Sequence, residues 1–178
     1  FSYYLIVGRL IPDNNADLIV RGFLNSKSTK KLVIVGDVPY RDAYAEGIKN
    51  MQNEQLLFTG YVTDQAELMA LYQHCFAYIH GHKFGGTNPA MLKAMSNNCA
   101  ILALNTSFNK EMLNEGEFGL FFDESERSVA DEMEMLETNE ALAIKMRRTV
   151  ANGLTKKYNW DAITDRYLNE AANLLKIR

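Results

Sequence analysis

Short apolar runs rich in β-forming residues alternate with helical patterns along most of this chain. Six runs predict strands, at residues 3–7, 31–35, 55–59, 76–80, 100–104 and 119–122. Helical spacing marks the segments between them, at residues 16–25, 41–50, 65–74, 89–97 and 129–136, with a short turn at 109–113. Strands of a parallel sheet are apolar throughout, because connecting helices bury both faces. The alternation therefore predicts an α/β fold: a Rossmann-like, parallel six-stranded sheet flanked by helices.

The segment after Asn139 has a different pattern, without further strands. Two helical stretches, about 140–158 and 160–176, predict a helical C-terminal extension from about residue 140. In the second stretch four apolar side chains recur every three or four residues and share one face: Ile163, Tyr167, Ala171 and Leu174. That face either packs on this same domain or crosses to another domain of a longer protein.

Length and composition fit one globular domain. A single core serves roughly 100–200 residues, and 47% of these 178 residues are hydrophobic. The formal net charge of −3 gives no general cationic field, which argues against a nucleic-acid partner. No apolar run approaches the ~18 residues that span a bilayer, and no leader pattern is visible, so we expect a cytoplasmic domain. The chain begins at Phe1 rather than at Met, so we expect an upstream portion to be missing.

Neither the cysteines nor the histidines predict a metal site. Cys75 and Cys99 lie in apolar runs without a second ligand at metal-binding spacing, so we expect buried, reduced thiols. His80 and His82 flank Gly81, and an extended segment places both imidazoles on one face. No third ligand accompanies them. A structural role or a hydrogen bond to substrate is favoured, and His82 is the better contact because it lies further into the loop.

The most informative segment is YIHGHKFGGTNPAMLKAM, in which a predicted strand ends and a glycine-rich loop opens a helix. Asn88 is typical of an N-cap and Pro89 of the first helical position. Free N–H groups and the positive end of the helix dipole attract anions, and Gly85 and Gly86 let a phosphate approach the backbone near Thr87. The segment predicts a phosphate site, with an ordinary strand-to-helix turn as the alternative.

Three further loops follow predicted strands: VGRLIPDNN, VGDVPYRDAY and FTGYVTD. In the first, the Arg9 guanidinium can bind a phosphate with two hydrogen bonds or pair with a surface carboxylate. Asn14 or Asn15 is a candidate N-cap there. In the third, Tyr61 and Val62 can border a nucleotide base, although Tyr61 can equally serve in packing.

Together VGRLIPDNN, VGDVPYRDAY, FTGYVTD and HGHKFGGTNPAMLKAM resemble, in order and spacing, the C-terminal domain of family 4 (group 1) glycosyltransferases. The resemblance covers essentially the whole chain. HGH, GGTNP and FNKEML are most similar to a bacterial branch with rhamnosyltransferases that build capsular and other surface polysaccharides. The resemblance implies the C-terminal half of a GT-B fold, whose N-terminal acceptor domain is absent from this chain.

The resemblance also implies a function. It is retaining transfer of a sugar, with rhamnose as a candidate, from a dTDP, UDP or GDP sugar to a polysaccharide or lipid-linked acceptor. No metal or other cofactor is expected. The full-length protein would work in the cytoplasm, with peripheral attachment to the inner face of the membrane as an option. Acceptor contacts and any general base would come from the N-terminal domain, so no residue here is assigned as catalytic and the fragment alone should be inactive.

Site residues follow from the same resemblance. Arg9 would bind donor phosphate, the GGTNP loop would hold diphosphate and sugar, and the loop at Tyr61 would border the base. Preorganised N–H groups and Arg9 would stabilise the charge that develops on the leaving nucleoside diphosphate. The full set of predicted donor-binding residues is Arg9, Asn14, Tyr61, Val62, His82, Gly85, Gly86, Thr87, Asn88 and Lys93.

Three positions depart from the family pattern. The family usually has two glutamates separated by seven residues, where this chain has Gly85 and Lys93. The second glutamate usually contacts ribose hydroxyls, and an ammonium group cannot accept those hydrogen bonds. A phosphate-binding lysine of the arginine loop is replaced by Asn14. These departures favour, as the alternative, a non-enzymatic nucleotide-sugar-binding or scaffold domain. A dinucleotide-dependent oxidoreductase is disfavoured because GRLIPDN lacks the GxGxxG pattern.

Overall fold

The computed structural model describes residues 2–51 and 53–176; Phe1 lies outside these ranges. Within them, six parallel strands form one sheet in the order β3-β2-β1-β4-β5-β6. The strands are β1 (Tyr3–Val7), β2 (Lys31–Val35), β3 (Leu56–Gly60), β4 (Ala77–His80), β5 (Ile101–Leu104) and β6 (Leu120–Phe122). All six predicted strands are confirmed. The strand order reverses between β1 and β4, where an open α/β sheet forms its ligand crevice.

Helices connect the strands at the predicted places. They are α1 (Ala16–Asn25), α2 (Ala43–Lys49), α3 (Gln65–His74), α4 (Pro89–Ser96), α5 (Ser107–Met112), α6 (Glu126–Thr138), α7 (Glu140–Thr149), α8 (Ala151–Lys157) and α9 (Trp160–Lys176). Side-chain caps fix several starts: Asp42, Asp64 and Asn88 accept hydrogen bonds from backbone N–H groups in the first turns of α2, α3 and α4. Because Asp42 caps α2, that helix begins two residues later than its pattern predicts.

Two apolar layers cover the two faces of the sheet. Along β1, Tyr4 and Ile6 point into the layer formed with α1, α2, α6 and α7, whereas Leu5 points into the layer formed with α3, α4 and α5. Burial on both faces explains why the strands are apolar throughout. Close packing of α1 on α6 depends on Gly22, where a Cβ would lie 2.5 Å from Val129 Cβ.

The two cysteines lie in the interior, as predicted. Cys75 and Cys99 are free, fully buried thiols whose Sγ atoms lie 3.8 Å apart. Both donate to the carbonyl oxygen of Tyr72, at 3.1 Å. Met91 and Met95 of α4 are fully buried in the same layer. The two cysteines therefore serve as small core residues, as their apolar context predicts.

The C-terminal extension is confirmed as helical but differs in two details. The stretch predicted as one helix forms α7 and α8, which meet at Val150; this residue keeps helical dihedral angles, φ −58° and ψ −37°, so the division is slight. The apolar face of α9 is uncovered, since Tyr167 is 76% and Leu174 69% exposed. The structure therefore does not support the alternative in which this face packs on the same domain. No helix in residues 2–51 and 53–176 is long and apolar enough to cross a bilayer.

Candidate functional site

A pocket of about 80 Å³ lies at the carboxyl ends of β1 and β4, where the strand order reverses. Its polar lining comes from Arg9, Asn14, His80, His82 and Asn88. Four of these are predicted donor-binding residues, from two segments that are about 70 residues apart in the sequence. The fold thus brings the arginine loop, the histidine motif and the start of α4 to one place, the crevice expected for a doubly wound sheet.

Arg9 is exposed at the rim of this pocket. In the described part of the chain its guanidinium has neither an ion-pair partner nor a hydrogen-bond acceptor, which leaves it available to an anion. The loop beneath it is held close to the next strand end by Gly36, whose φ is +121°. A Cβ at Gly36 would lie 2.0 Å from the carbonyl oxygen of Gly8, so only glycine fits there.

Asn14 links the arginine loop to the histidine motif. Its Nδ2 donates to the carbonyl oxygen of Arg9 at 2.7 Å, and its Oδ1 lies 2.8 Å from Nδ1 of His82. Because an amide oxygen only accepts, Nδ1 of His82 carries a proton. Nε2 of His82 faces the glycine-rich loop, 3.7 Å from where a Cβ of Gly85 would lie. The asparagine at the usual lysine position therefore orients His82.

The loop after β4 is tied down by two asparagines. Asn15 donates to the carbonyl oxygen of Gly81 at 2.8 Å, and a Cβ at Gly81 would lie only 2.3 Å from the carbonyl oxygen of Asn14. The buried Asn109 donates to the carbonyl oxygen of His82 at 3.1 Å and to a carbonyl at the end of β5 at 2.8 Å. Sequence reasoning missed Asn109, although the FNKEML segment that contains it was the available signal.

The glycine-rich loop continues from this pocket to the start of α4. Gly85, Gly86 and Thr87 are exposed, and Gly85 adopts φ +93°, which side chains disfavour. Asn88 caps the helix by accepting from the N–H of Ala90 at 2.9 Å, as predicted. The loop therefore presents an open helix N-terminus beside the pocket, the geometry that favours anions.

The three remaining predicted residues lie outside the pocket lining, around the start of α3. Tyr61 is 55% exposed and donates its hydroxyl to the carbonyl oxygen of Asp37 at 2.9 Å. Val62 packs against the apolar layer under α3 and α4. Lys93 is exposed, and its Nζ lies 3.4 Å from Oε1 of Gln65, the first residue of α3. Their roles in binding a base and a ribose stay predictions.

His80 is a buried titratable group in the pocket lining. Its pKa is lowered to about 3, mainly by burial and in smaller part by the neighbouring His82. The two rings lie 6.1 Å apart between centroids, as expected for alternate residues of an extended segment. His80 is therefore a neutral imidazole at physiological pH. In residues 2–51 and 53–176, no cluster of three or more His, Cys, Asp or Glu side chains could hold a metal ion.

The chain belongs to the group 1 glycosyl transferases, since the model of that family matches residues 2–156. It is also similar to the N-acetylgalactosamine-N,N'-diacetylbacillosaminyl-diphospho-undecaprenol 4-alpha-N-acetylgalactosaminyltransferase of Campylobacter jejuni, with 27% identity over 121 residues. That match covers 67% of this chain and 32% of the relative. The chain thus spans about a third of the relative's length.

Solved structures show the same fold. The C-terminal domain of the group 1 family protein LpcC from Francisella tularensis superposes with a TM-score of 0.76 at 21% identity, covering 89% of this chain and 87% of that one. A glycosyltransferase from Rickettsia africae gives 0.83 at 13% identity, covering 98% and 48%. Alr3699/HepE from Anabaena, solved with UDP and glucose, gives 0.81 at 13% identity, covering 96% and 48%. The architecture is that of the C-terminal domain of GT-B glycosyltransferases.

Proposed function

We propose that this chain binds a nucleoside-diphosphate sugar and forms the donor-binding half of a glycosyltransferase. The observation that carries the proposal is the pocket at the strand-order reversal. There Arg9, which has no ion-pair or hydrogen-bond partner for its guanidinium among the described residues, lies together with the capped start of α4. A guanidinium and a helix N-terminus both stabilise phosphate charge. The complex of Alr3699/HepE with UDP and glucose supports a nucleotide-sugar ligand for this fold.

The proposed reaction is retaining transfer to a polysaccharide or lipid-linked acceptor, without a metal ion. As the glycosidic bond to the diphosphate breaks, negative charge grows on the phosphate oxygens, and Arg9 and loop N–H groups stabilise it. The Campylobacter jejuni relative is named for an acceptor linked to diphospho-undecaprenol, which supports a lipid-linked acceptor. The likeness of the HGH, GGTNP and FNKEML segments to rhamnosyltransferases favours rhamnose as the sugar.

The uncovered face of α9 supports a second domain in the complete protein. Tyr167 and Leu174 on this face are largely exposed, and Ile163 is half-buried. We propose that the N-terminal half covers this face. Hydrogen exchange of α9 amides tests this: protection in the full-length protein should exceed protection in the 178-residue chain, and equal protection would contradict the contact.

The proposed function is tested by calorimetric titration of this chain with UDP, GDP and dTDP sugars at fixed salt. We expect saturable binding of at least one series, with nucleoside diphosphate competing for the same site. Absence of binding across the panel would overturn the proposal. A transfer assay with the full-length protein then identifies the sugar that is moved and the anomeric configuration of the product.

Lys93 favours one alternative, a nucleotide-sugar-binding or scaffold domain without transferase activity. It stands where the family usually has a glutamate, and its ammonium lies near Gln65 rather than offering an acceptor to a ribose. The two functions differ in one measurement. Donor hydrolysis or transfer by the full-length protein supports the enzyme, whereas binding without either supports the scaffold.

A further inference from the structure

His80, at the end of β4, has one ring nitrogen paired and the other without a hydrogen-bond partner in residues 2–51 and 53–176. The side chain is 4% exposed, and Nδ1 lies 2.9 Å from the hydroxyl oxygen of Tyr78. Nε2 is buried and has no hydrogen-bond partner in the described part of the protein. Most buried polar atoms have a partner, so an unpaired one in a pocket lining indicates a ligand contact.

The position of the ring proton follows from Tyr78. Burial raises the pKa of Tyr78 well above its usual value, so its hydroxyl keeps its proton. The acceptor within hydrogen-bond distance of that hydroxyl is Nδ1 of His80. A proton on Nδ1 would make Tyr78 the acceptor and would leave both the Tyr78 O–H and Nε2 without partners among the described residues. Donation by Tyr78 to Nδ1 leaves only one buried group unpaired, and it places the single ring proton of the neutral imidazole on Nε2. The unpaired nitrogen is an N–H donor.

The surroundings of His80 favour a small oxygen acceptor. His80 lines the pocket together with Arg9 and Asn88. The pocket has a volume of about 80 Å³ and reaches the surface at the exposed Arg9, so ligand oxygen atoms have room beside His80. Ionised phosphate oxygens only accept hydrogen bonds, and the guanidinium and the helix start beside His80 attract their charge.

We propose that Nε2–H of His80 donates a hydrogen bond to a phosphate oxygen of the bound nucleoside diphosphate. The proposal rests on the proposed function and adds a binding residue to it, with Tyr78 as the positioning residue that fixes the ring proton. A neutral donor suits this depth, because a buried cation would require its own desolvation before the diphosphate arrives. His80 thus binds phosphate from the interior side and Arg9 from the rim.

Calorimetry of variants tests the contact, with UDP and inorganic pyrophosphate as probes. His80→Phe removes the donor, and we expect it to weaken binding of both probes at least about tenfold, the scale of a hydrogen bond to a charged group. His80→Gln keeps an N–H donor and should retain most of the affinity. Tyr78→Phe lets the ring proton occupy either nitrogen and should give an intermediate loss. His74→Phe, at the exposed end of α3, is the matched control and should bind as the wild type does.

The outcomes separate this inference from the proposed function. If the wild type binds UDP and a folded His80→Phe variant binds it with unchanged affinity, only the inference is overturned. A loss of affinity for UDP without a loss for pyrophosphate also overturns it, because the contact would then be to the nucleoside. No binding by the wild type of UDP, GDP or dTDP overturns both. If the variants do not fold, ¹⁵N NMR of labelled wild-type histidines decides: Nε2 of His80 must carry the proton and its resonance must shift on adding UDP. An unprotonated Nε2, or no shift with UDP bound, overturns the inference.

Discussion

Arg9 has an exposed guanidinium at the rim of the pocket, available to bind an anion. Removing a hydrogen bond to a charged group costs about 1.5–3 kcal/mol, so Arg9→Ala should weaken nucleoside-diphosphate binding by that amount. Calorimetry at fixed salt measures the change. Arg127→Ala on α6 is the control, because Arg127 is highly exposed and does not line the pocket. Unchanged affinity in a folded Arg9→Ala variant would show that Arg9 does not contact the bound nucleoside diphosphate.

His80 should make folding stability sensitive to acid. Its pKa of about 3 in the folded chain is below the ordinary 6.5, so between these values the unfolded chain binds more protons. Acidification from pH ~6.5 toward pH ~4 therefore favours unfolding through this ring, by up to about 1.4 kcal/mol per pH unit. The facing titratable groups are Tyr78 and His82.

Urea unfolding at several pH values isolates this contribution. Carboxylates lower stability in acid in every variant, so the comparison is between slopes. The free energy of unfolding of His80→Gln should fall less steeply below pH ~6.5 than that of the wild type, whereas His74→Gln should match the wild type. Identical slopes for wild type and His80→Gln would show that His80 is not held neutral by burial.

A substitution at Lys93 tests how the absence of the glutamate usual in the family affects binding of the ribose. Its side chain is exposed beside Gln65, away from the pocket that holds Arg9. Lys93→Glu restores a carboxylate that accepts from ribose hydroxyls, and we expect nucleoside-diphosphate binding to tighten by about 1–2 kcal/mol. Lys145→Glu, on the exposed side of α7, controls for the change in net charge. Weaker binding would mean that Lys93 supplies phosphate charge, and no change would mean that it faces solvent.

At the scale of elements, the loop after β4 depends on contact between Gly81 and the start of α1. A Cβ at Gly81 would lie 2.3 Å from the carbonyl oxygen of Asn14 and 2.8 Å from Cδ1 of Ile19. Gly81→Ala should therefore destabilise the fold by about 1–3 kcal/mol, the usual cost of overpacking, and weaken nucleotide binding. Gly47→Ala in α2 is the control, because no atom of the described residues lies within 4 Å of its Cβ position.

Denaturant unfolding gives the two free energies. In Gly47→Ala the added methyl group contacts no atom of the described residues, so it should raise helix stability by about 0.5–1 kcal/mol. Equal stability of the two variants would mean that the backbone around Asn14 moves to accommodate the methyl group at little cost. The position of the loop after β4 would then not depend on Gly81.

The sequence predicts elements better than it predicts contacts between them. Strand bounds and the Asn88 cap follow from local composition, and the structure confirms the cap and places the strand bounds within one residue of the prediction. Strand alternation also places Tyr78 and His80 on one face, but the hydrogen bond that fixes the ring proton depends on side-chain geometry. The periodicity of α9 identifies an apolar face without saying what covers it. Asn109 acts across 27 residues of sequence on the carbonyl of His82, a distance at which local patterns carry no signal.

At the scale of the whole molecule, the site lies at the carboxyl ends of the central strands β1 and β4, along one edge of a single sheet. Its pocket is open to the surface at Arg9, and the glycine-rich loop is exposed. Transfer chemistry requires exclusion of water from the reacting bond. A domain facing this edge would provide that exclusion, and the uncovered face of α9 offers it an attachment on the same chain. Both features are consistent with a chain that spans about half of the matched Rickettsia africae and Anabaena structures.

The full-length protein should transfer sugar without a divalent metal ion. In the described ranges, no cluster of three His, Cys, Asp or Glu side chains has metal-binding geometry. We expect the charge of the leaving diphosphate to be met instead by Arg9, by the N-terminal turn of α4 and by His80. Initial transfer rates should therefore be the same with and without EDTA, with a metal-dependent transferase assayed in parallel to show that chelation is effective. A reproducible loss of rate that a divalent ion restores would show that the diphosphate is neutralised by metal, and Arg9 would then have a lesser part in departure of the leaving group.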